Sequence, residues 1–534
     1  MAKCRHPLIA NPLWPGMVVS GLLITIAVLI FSVLWLHAPQ ISWQEFIDDS
    51  YLWHVIGFTF WQTLLSTLLS VIPAIFIAKS LFHRHFPGRI LLLRLCSMTL
   101  VLPVLVAIFG LLTVYGRMGW ISQFCHWLGI NYSFTPYGLT GILLAHIFFN
   151  LPLAIRMLLQ ALENIAVEQR QLAAQLGMNQ WQHFRIVEWP YLRRQILPTS
   201  ALIFMLCFAS FAAVLTLGGG PAATTIELAI YQSLSYDFDL NKAALLALIQ
   251  LFCCSALVLL SQKLNVFFPV GANQQLMWKN PDDNRWQKWW DTVLISMTIF
   301  FLIPPLLAII IDGLNFTLFQ VLQQPSLWQA FINSVCIAIS GGVVCIILTM
   351  MLLWSSRELR LRHSMVLHRT LELSGLLILT MPSIVLATGF FLLLNSTFSL
   401  AYSPYSLIIL TNALMAIPYA LKVLENPMYD LAERYNLLCL SLQIKGINRL
   451  RLIEFRALKR TLGQAFAFAC ILSIGDFGII VLFGNENFRT LPYYLYQQLS
   501  SYRNNDAAVT ALLMLLVCFC LFSLLEYLSG KKHD

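Results

Sequence analysis

Asp476, His146, Asn150 and Asn412 each fall inside a long apolar run, where an ionisable or strongly polar side chain is costly. A carboxylate at Asp476, within the apolar segment 462–484, would stabilise a passing cation electrostatically. The alternative is a bundle-facing acid satisfied by the backbone of neighbouring helices, or one lying near the outer mouth. His146 and Asn150 lie one helical turn apart on a common face, suited either to hydrogen bonds between helices or to lining a passage. Phe208, Phe211 and Phe477 could stack on an aromatic solute or pack against one another. Covalent chemistry has no candidate. The sequence contains no G-x-x-x-x-G-K-[ST] phosphate loop, no His/Cys cluster with ligand spacing and no nucleophile elbow. No catalytic residue, no metal site and no cofactor bound by this chain is expected.

The elements that position these residues follow from composition. Of the 534 residues, 59% are hydrophobic and 11% charged, against about 25% charged in soluble domains. Mean hydropathy is +0.75. Apolar runs of about 20 residues recur, long enough to cross ~30 Å of hydrocarbon as helices, and the alternating segments of a transmembrane β-barrel are not visible. The expectation is an all-α polytopic membrane protein of about 12 transmembrane helices. They fall near 15–37, 55–78, 95–116, 136–155, 198–217, 241–262, 290–311, 330–354, 371–395, 404–421, 462–484 and 507–528. The first follows the basic stretch Met1–His6 and reads as an uncleaved span. The net charge of +9 is spread through short loops, so no nucleic-acid partner is expected. One set of alternate segments holds 29 of the 33 lysines and arginines, which places both termini and the long loops 156–194 and 422–460 in the cytoplasm. The twelve cysteines are scattered and read as packing residues.

Those two long loops are copies of one another, related by a constant offset of 266 in sequence number. Gln171-Leu-Ala173-Ala174-Gln-Leu-Gly177, Trp181, Phe184 and Glu188 correspond to Leu437-Leu-Cys-Leu440-Ser-Leu-Gln443, Leu450 and Glu454. The same offset pairs Pro152 with Pro418, Phe211 with Phe477 and His146 with Asn412, so the chain reads as two fused homologous halves. Tyr231-Gln232 and Tyr496-Gln497, one position off that spacing, are a weaker trace. In the first loop Gly177 is suited to turn the chain between two short helices. Trp181, Phe184 and Val187 form an apolar stripe, and Pro190 is expected to end the second short helix. Such an elbow would either dock a protein or lie on the membrane surface.

The pattern Gln171-Leu-Ala173 … Gly177 … Val187-x-Trp189-Pro190 resembles the E-A-A-x-x-x-G-x9-I-x-L-P loop of binding-protein-dependent ABC importer permeases. The resemblance implies the type I permease fold, with this loop as the helix that seats in a cytosolic ATPase. Gln171 replaces the family glutamate, and Leu437, Gln443 and Arg456 depart from the motif in the second copy, so the second site is expected to be degenerate. Strings such as Phe86-Pro-Gly-Arg89, Leu217-Gly-Gly-Gly-Pro221, Gly475-Asp-Phe-Gly478 and Phe488-Arg-Thr-Leu-Pro492 are similar to the fused inner-membrane permeases of bacterial thiamine importers. That resemblance implies two copies of a cytosolic ABC ATPase that uses ATP, a periplasmic thiamine-binding protein, and lipid as the surroundings. The expected division is 1–54 leading span, 55–262 first permease domain, 263–329 linker with the seventh span, 330–528 second permease domain and 529–534 tail. A fused iron(III) permease, with Tyr493, Tyr494 and Tyr496 as donors, and an ion-driven secondary transporter of twelve spans remain open at this point. A membrane transferase would show acidic diphosphate-binding motifs, and none occurs.

Overall fold

The computed structural model of the chain describes residues 13–38, 48–99, 101–130, 134–263, 285–362, 364–397, 404–444, 446–484 and 488–529. The basic start, most of the linker (264–284) and the end of the tail (530–534) lie outside the described residues. Among the described residues the chain is nearly all helix. The principal helices of the first half are α1 (Trp14–His37), α2 (Ser50–His83), α3 (Val104–Tyr115), α4 (Leu139–Glu163), α5 (Val167–Gln175), α6 (Trp189–Phe208), α7 (Phe211–Leu217), α8 (Ile226–Ser235) and α9 (Leu240–Lys263). The second half continues with α10 (Arg285–Gly313), α11 (Pro325–Leu361), α12 (Ser383–Thr397), α13 (Pro404–Ser441), α14 (Phe455–Gly475), α15 (Gly478–Phe483), α16 (Leu491–Ser500) and α17 (Asn504–Ser529). Among the described residues, ten helices are long and apolar enough to span a membrane, and two sharply bent pairs raise the number to twelve.

Helix α2 shows how such a sequence packs. Its buried residues include Thr59, Gln62, Thr63, Ser66, Thr67 and Ser70, at helical spacing, while Trp61, Leu64, Leu68, Ile72 and Phe76 point outward. The pattern is polar-in and apolar-out because the outer solvent is hydrocarbon, and small hydroxyl side chains let helices approach closely. Thr59, Thr63, Thr67 and Ser70 each donate to the carbonyl four residues back, so none is left unsatisfied. This face packs on α4, and in the second half α11 packs on α13 in the same way.

The two halves are interlocked rather than merely adjacent. Helix α1 packs on α11 and α12 of the second half, and α10 packs on α3 and α2 of the first. Two of these crossings, α10 on α3 and α1 on α12, depend on a glycine. A Cβ at Gly110 would come within 2.4 Å of the Pro305 carbonyl oxygen and 3.0 Å of Ile309, and one at Gly389 within 2.5 Å of Ile30. Gly110 and Gly389 are related by a sequence offset of 279, which also relates Ile30 to Ile309 and the helix-breaking Pro103 to Pro382. Those prolines lie where the third and ninth apolar runs, expected as single spans, are interrupted between Met98 and Val104 and between Thr380 and Ser383. Polar clasps close the seams. The Gly16 amide donates to Ser355 Oγ at 2.8 Å, while Asp291 accepts from Ser80 and from Arg84, both at 2.7 Å.

Overpacking a close helix crossing typically costs about 1–3 kcal/mol. Gly110→Val and Gly389→Val should each lower the melting temperature of the purified protein by several degrees. Gly21→Val, where nothing lies within 4 Å of the added Cβ, should leave it unchanged. Equal melting of all three would contradict the interlocked seam.

Candidate functional site

The first elbow begins after α4, where the chain breaks at Asn164–Ala166 and restarts as α5. Ala173 is buried, Ala174 half-buried and Gln171 exposed. Gly177 turns the chain at φ +64°, with nothing near its Cβ position, so the backbone conformation alone asks for glycine there. Asn179 then caps a short helix, Gln180–His183, with a reciprocal capping box. Pro190 does not end that helix, contrary to the sequence expectation. Residues Phe184–Glu188 form a π-helical turn, the Trp189 amide bonds back to Phe184, and the helix runs on through Pro190 into α6. The proline is not what causes the turn. Leu450–Glu454 forms the same π turn in the second half, where Arg456 stands in the proline's place.

Both π turns end on a buried glutamate. Glu188 Oε1 accepts from His83 Nε2 at 2.7 Å and from His183 Nδ1 at 3.0 Å. Arg170 sits close by, stacked 5.1 Å over Phe82, and burial pushes its guanidinium below the ordinary value while the Glu188 charge opposes the shift. Glu454 pairs with Arg357 and, at 3.0 Å, with Arg449, whose other nitrogens reach Asn436 Oδ1 and the Ala432 carbonyl. His83 ends α2, and Arg357 lies about one turn before the end of the matching helix α11. The 266 offset pairs His183 with Arg449 and Arg170 with Asn436. Each elbow is therefore clamped to its second-span helix through one buried carboxylate, with imidazoles as partners in one half and guanidiniums in the other.

The remaining elbow residues divide by exposure. Trp181 is 68% exposed, Phe184 is half-buried beneath Lys79 with the ammonium 4.4 Å from its ring, and Val187 is buried. The expected apolar stripe is thus split, because the π turn shifts the helical register between Trp181 and Val187. In the second elbow α13 runs unbroken to Ser441, so Leu440 lies on the end of a long helix and is half-buried, like Leu450. Gln443 holds the same left-handed turn as Gly177, at φ +53°. For a residue with a side chain, that conformation costs roughly 1 kcal/mol. The equivalent of Ala173 is Cys439, equally buried, which the sequence reading passed over although the 266 offset marks it.

The polar residues of the spans converge on two helix breaks. Between α6 and α7 the chain bends by 54° at Ala209–Ser210. His146 holds this break, with Nε2 at 2.8 Å from Ser210 Oγ and Nδ1 at 2.8 Å from Ser66 Oγ. Asn150 donates to Cys207 Sγ at 3.1 Å one turn before it. The corresponding break lies between α14 and α15 at Asp476–Phe477. Asn412 donates to Ser473 Oγ at 2.8 Å, and Asp476 Oδ1 accepts from the Gly478 amide at 3.1 Å. Asn412, Ser473, Asp476 and Thr490 line a small polar cavity, in which Asn412 Oδ1 and Thr490 Oγ1 are without partners. Helices α8 and α16, which follow α7 and α15, are anchored alike. The Ile226 amide donates to Thr59 Oγ1 at 3.0 Å and the Leu491 amide to Ser334 Oγ at 2.8 Å.

Two interlocked helical halves, each with a broken span leading from a clamped elbow, define a membrane permease. Residues 68–266 match the family described as binding-protein-dependent transport system inner membrane component. The chain is 62% identical over 532 residues to the thiamine transport system permease protein ThiP of Escherichia coli (strain K12), covering 100% of this chain and 99% of that relative. It is 61% identical to the protein of the same name in Salmonella typhimurium (strain LT2), over 99% of both chains, and 41% identical to that of Haemophilus influenzae, over 91% of this chain and 90% of the relative. The chain belongs to the thiamine transport system permease family. Of the tyrosines considered as iron donors, Tyr494 is hydrogen-bonded with Ser326 and Gln324, and the Tyr496 ring packs against Phe477.

The two clamps differ in what removal of the carboxylate leaves behind. Glu188→Gln leaves two histidines in direct contact with the new amide and Arg170 nearby, whereas Glu454→Gln leaves two permanently charged guanidiniums in direct contact. Glu454→Gln should therefore cost about 3–5 kcal/mol and Glu188→Gln about 1 kcal/mol. Thermal melting of the two purified variants at pH 8 checks the order, and an equal or reversed order would refute the assignment.

Proposed function

We propose that this chain is the membrane-spanning subunit of an ATP-driven importer that carries thiamine, or its phosphates, across the bacterial inner membrane. The observation that carries the substrate is the 62% identity, over essentially the full length of both chains, to a permease named for thiamine transport. In this reading both termini and both elbows face the cytoplasm. Two copies of an ATPase dock on the elbows, one around Gly177 and Trp181 and one around Gln443 and Leu450. A periplasmic thiamine-binding protein delivers its load to the opposite face, which carries α8 and α16. The chain itself performs no hydrolysis. The linked halves 55–262 and 330–528 act as the two permease domains.

Geometry supports a mechanism of alternating access. Helices α6 and α14 each run from an elbow glutamate to a helix break. When ATP binding closes the ATPases, the elbows approach and these two rods carry the movement to the breaks. Asp476, at the second break and facing the polar cavity, supplies negative charge to the route of a substrate whose thiazolium is permanently cationic. His146, Asn150 and Asn412 border the same route and hold the breaks in shape.

Reconstitution in proteoliposomes with the ATPase and the binding protein should give thiamine uptake that requires ATP. Asp476→Asn should co-purify normally with the ATPase yet lower uptake about tenfold, the loss of one charge contact worth ~1.4 kcal/mol. Uptake without ATP would favour the ion-driven alternative, and undiminished uptake by Asp476→Asn would remove that residue from the route.

A further inference from the structure

Phe211 and Phe477 stack on one another across the seam between the halves, with ring centroids 6.2 Å apart and planes 27° apart. Each stands where a broken span restarts, Phe211 as the first residue of α7 and Phe477 immediately before α15. Each is backed by a tyrosine of its own half. Tyr231 meets Phe211 edge-on at 5.5 Å, and Tyr496 meets Phe477 at 5.1 Å. The rings thus form a row of four, Tyr231, Phe211, Phe477 and Tyr496, arranged symmetrically about the seam. Asp476 adjoins one end of the stacked pair. Glu227, one helical turn before Tyr231 on α8, is buried and bonded to Gln250 at 3.3 Å. Asp476 accepts from the Gly478 amide, its charge acts on Glu227, and among the described residues neither acid forms an ion pair.

Membrane-core packing alone accounts for buried rings, but not for two acidic side chains beside them that have hydrogen bonds and no ion-pair partner, because acids in such a place are costly. We propose that the row is the closed form of a gate that recognises a planar, positively charged heteroaromatic solute. As the halves part, the solute enters between Phe211 and Phe477, exchanging ring–ring contact for ring–cation contact, with Asp476 as the countercharge and Glu227 as a second acid beside it. The gate rests on the reading of the chain as a thiamine permease, since thiamine joins a thiazolium cation to a flat aminopyrimidine. It also gives the stacked pair two roles, closing the resting passage and selecting for charge.

The test uses the complete importer in proteoliposomes, with thiamine and a neutral isostere whose thiazolium is replaced by an uncharged ring. Phe211→Leu and Phe477→Leu should each lower thiamine uptake at least about tenfold and narrow the ratio of thiamine to isostere uptake. Phe477→Tyr should restore most of the rate and the ratio. Glu227→Gln should narrow the ratio alone. Since the binding protein is the same throughout, a change in ratio belongs to the gate. Tyr496→Leu, on a half-exposed ring, carries the same expectation if a phenylalanine variant fails to co-purify with the ATPase. Leucine variants with the wild-type rate and ratio would overturn the gate while leaving the thiamine reading intact. A wild-type importer that carries neither solute would overturn that reading itself, and the gate with it.

Discussion

A helix that breaks inside a membrane frees backbone groups that lipid cannot satisfy, at several kcal/mol each, and this constraint organises the centre of the molecule. The fifth span of each half breaks at Ser210 and at Asp476, the ends of α6 and α14. Each break is held by a polar side chain from the fourth-span helix, His146 or Asn412, a pair related by the 266 offset. The stacked phenylalanines, the polar cavity and the anchoring of α8 and α16 all depend on where those breaks fall. Moving either break by one position would turn Phe211 or Phe477 by about 100° around its helix and take it out of the seam.

The opposite ends of the same two helices carry the elbow clamps. A helix of about 20 residues, such as α6, is about 30 Å long and stiff along its axis. It is fixed at one end by a buried glutamate and at the other by a hydrogen-bonded break. Force applied at an elbow therefore has a short mechanical route to the seam. The interlock of α1 with the second half and of α10 with the first keeps the halves paired while their breaks move. The clamps share a carboxylate but differ in partners. Two arginines hold the second elbow with permanent charge, whereas two histidines and the nearby Arg170 hold the first. The left-handed Gln443 shows that the second elbow keeps the turn geometry even where its motif is lost.

Much of this was legible in the sequence wherever one offset applied. The 266 spacing marked both elbows, the pairing of His146 with Asn412 and the pairing of Phe211 with Phe477, and the basic residues marked the loops. What escaped did so for physical reasons. The leading helices and the glycine crossings repeat at 279, and His83 with Arg357 at 274, because the halves differ in loop length, so a single offset cannot register them. The helix through Pro190 was misjudged because a π turn, set by tertiary packing around Glu188, overrides the proline as a stop signal. The clamp itself was half visible. Glu188 and Glu454 stood out as a pair, but their partners on α2 and α11 come from far earlier in the chain, and only the fold brings them together.

The central claim is that elbow and gate move as one through α6 and α14. Pulsed electron spin resonance on the assembled importer, in a cysteine-free background, tests it most directly. One pair of spin labels at Gln171 and Leu437 would report the elbows, and another at Thr216 and Leu482 the short helices beyond the breaks. The account predicts that ATP binding shortens the first distance and lengthens the second in the same nucleotide range. Elbows that close while the distance between α7 and α15 stays fixed would contradict it.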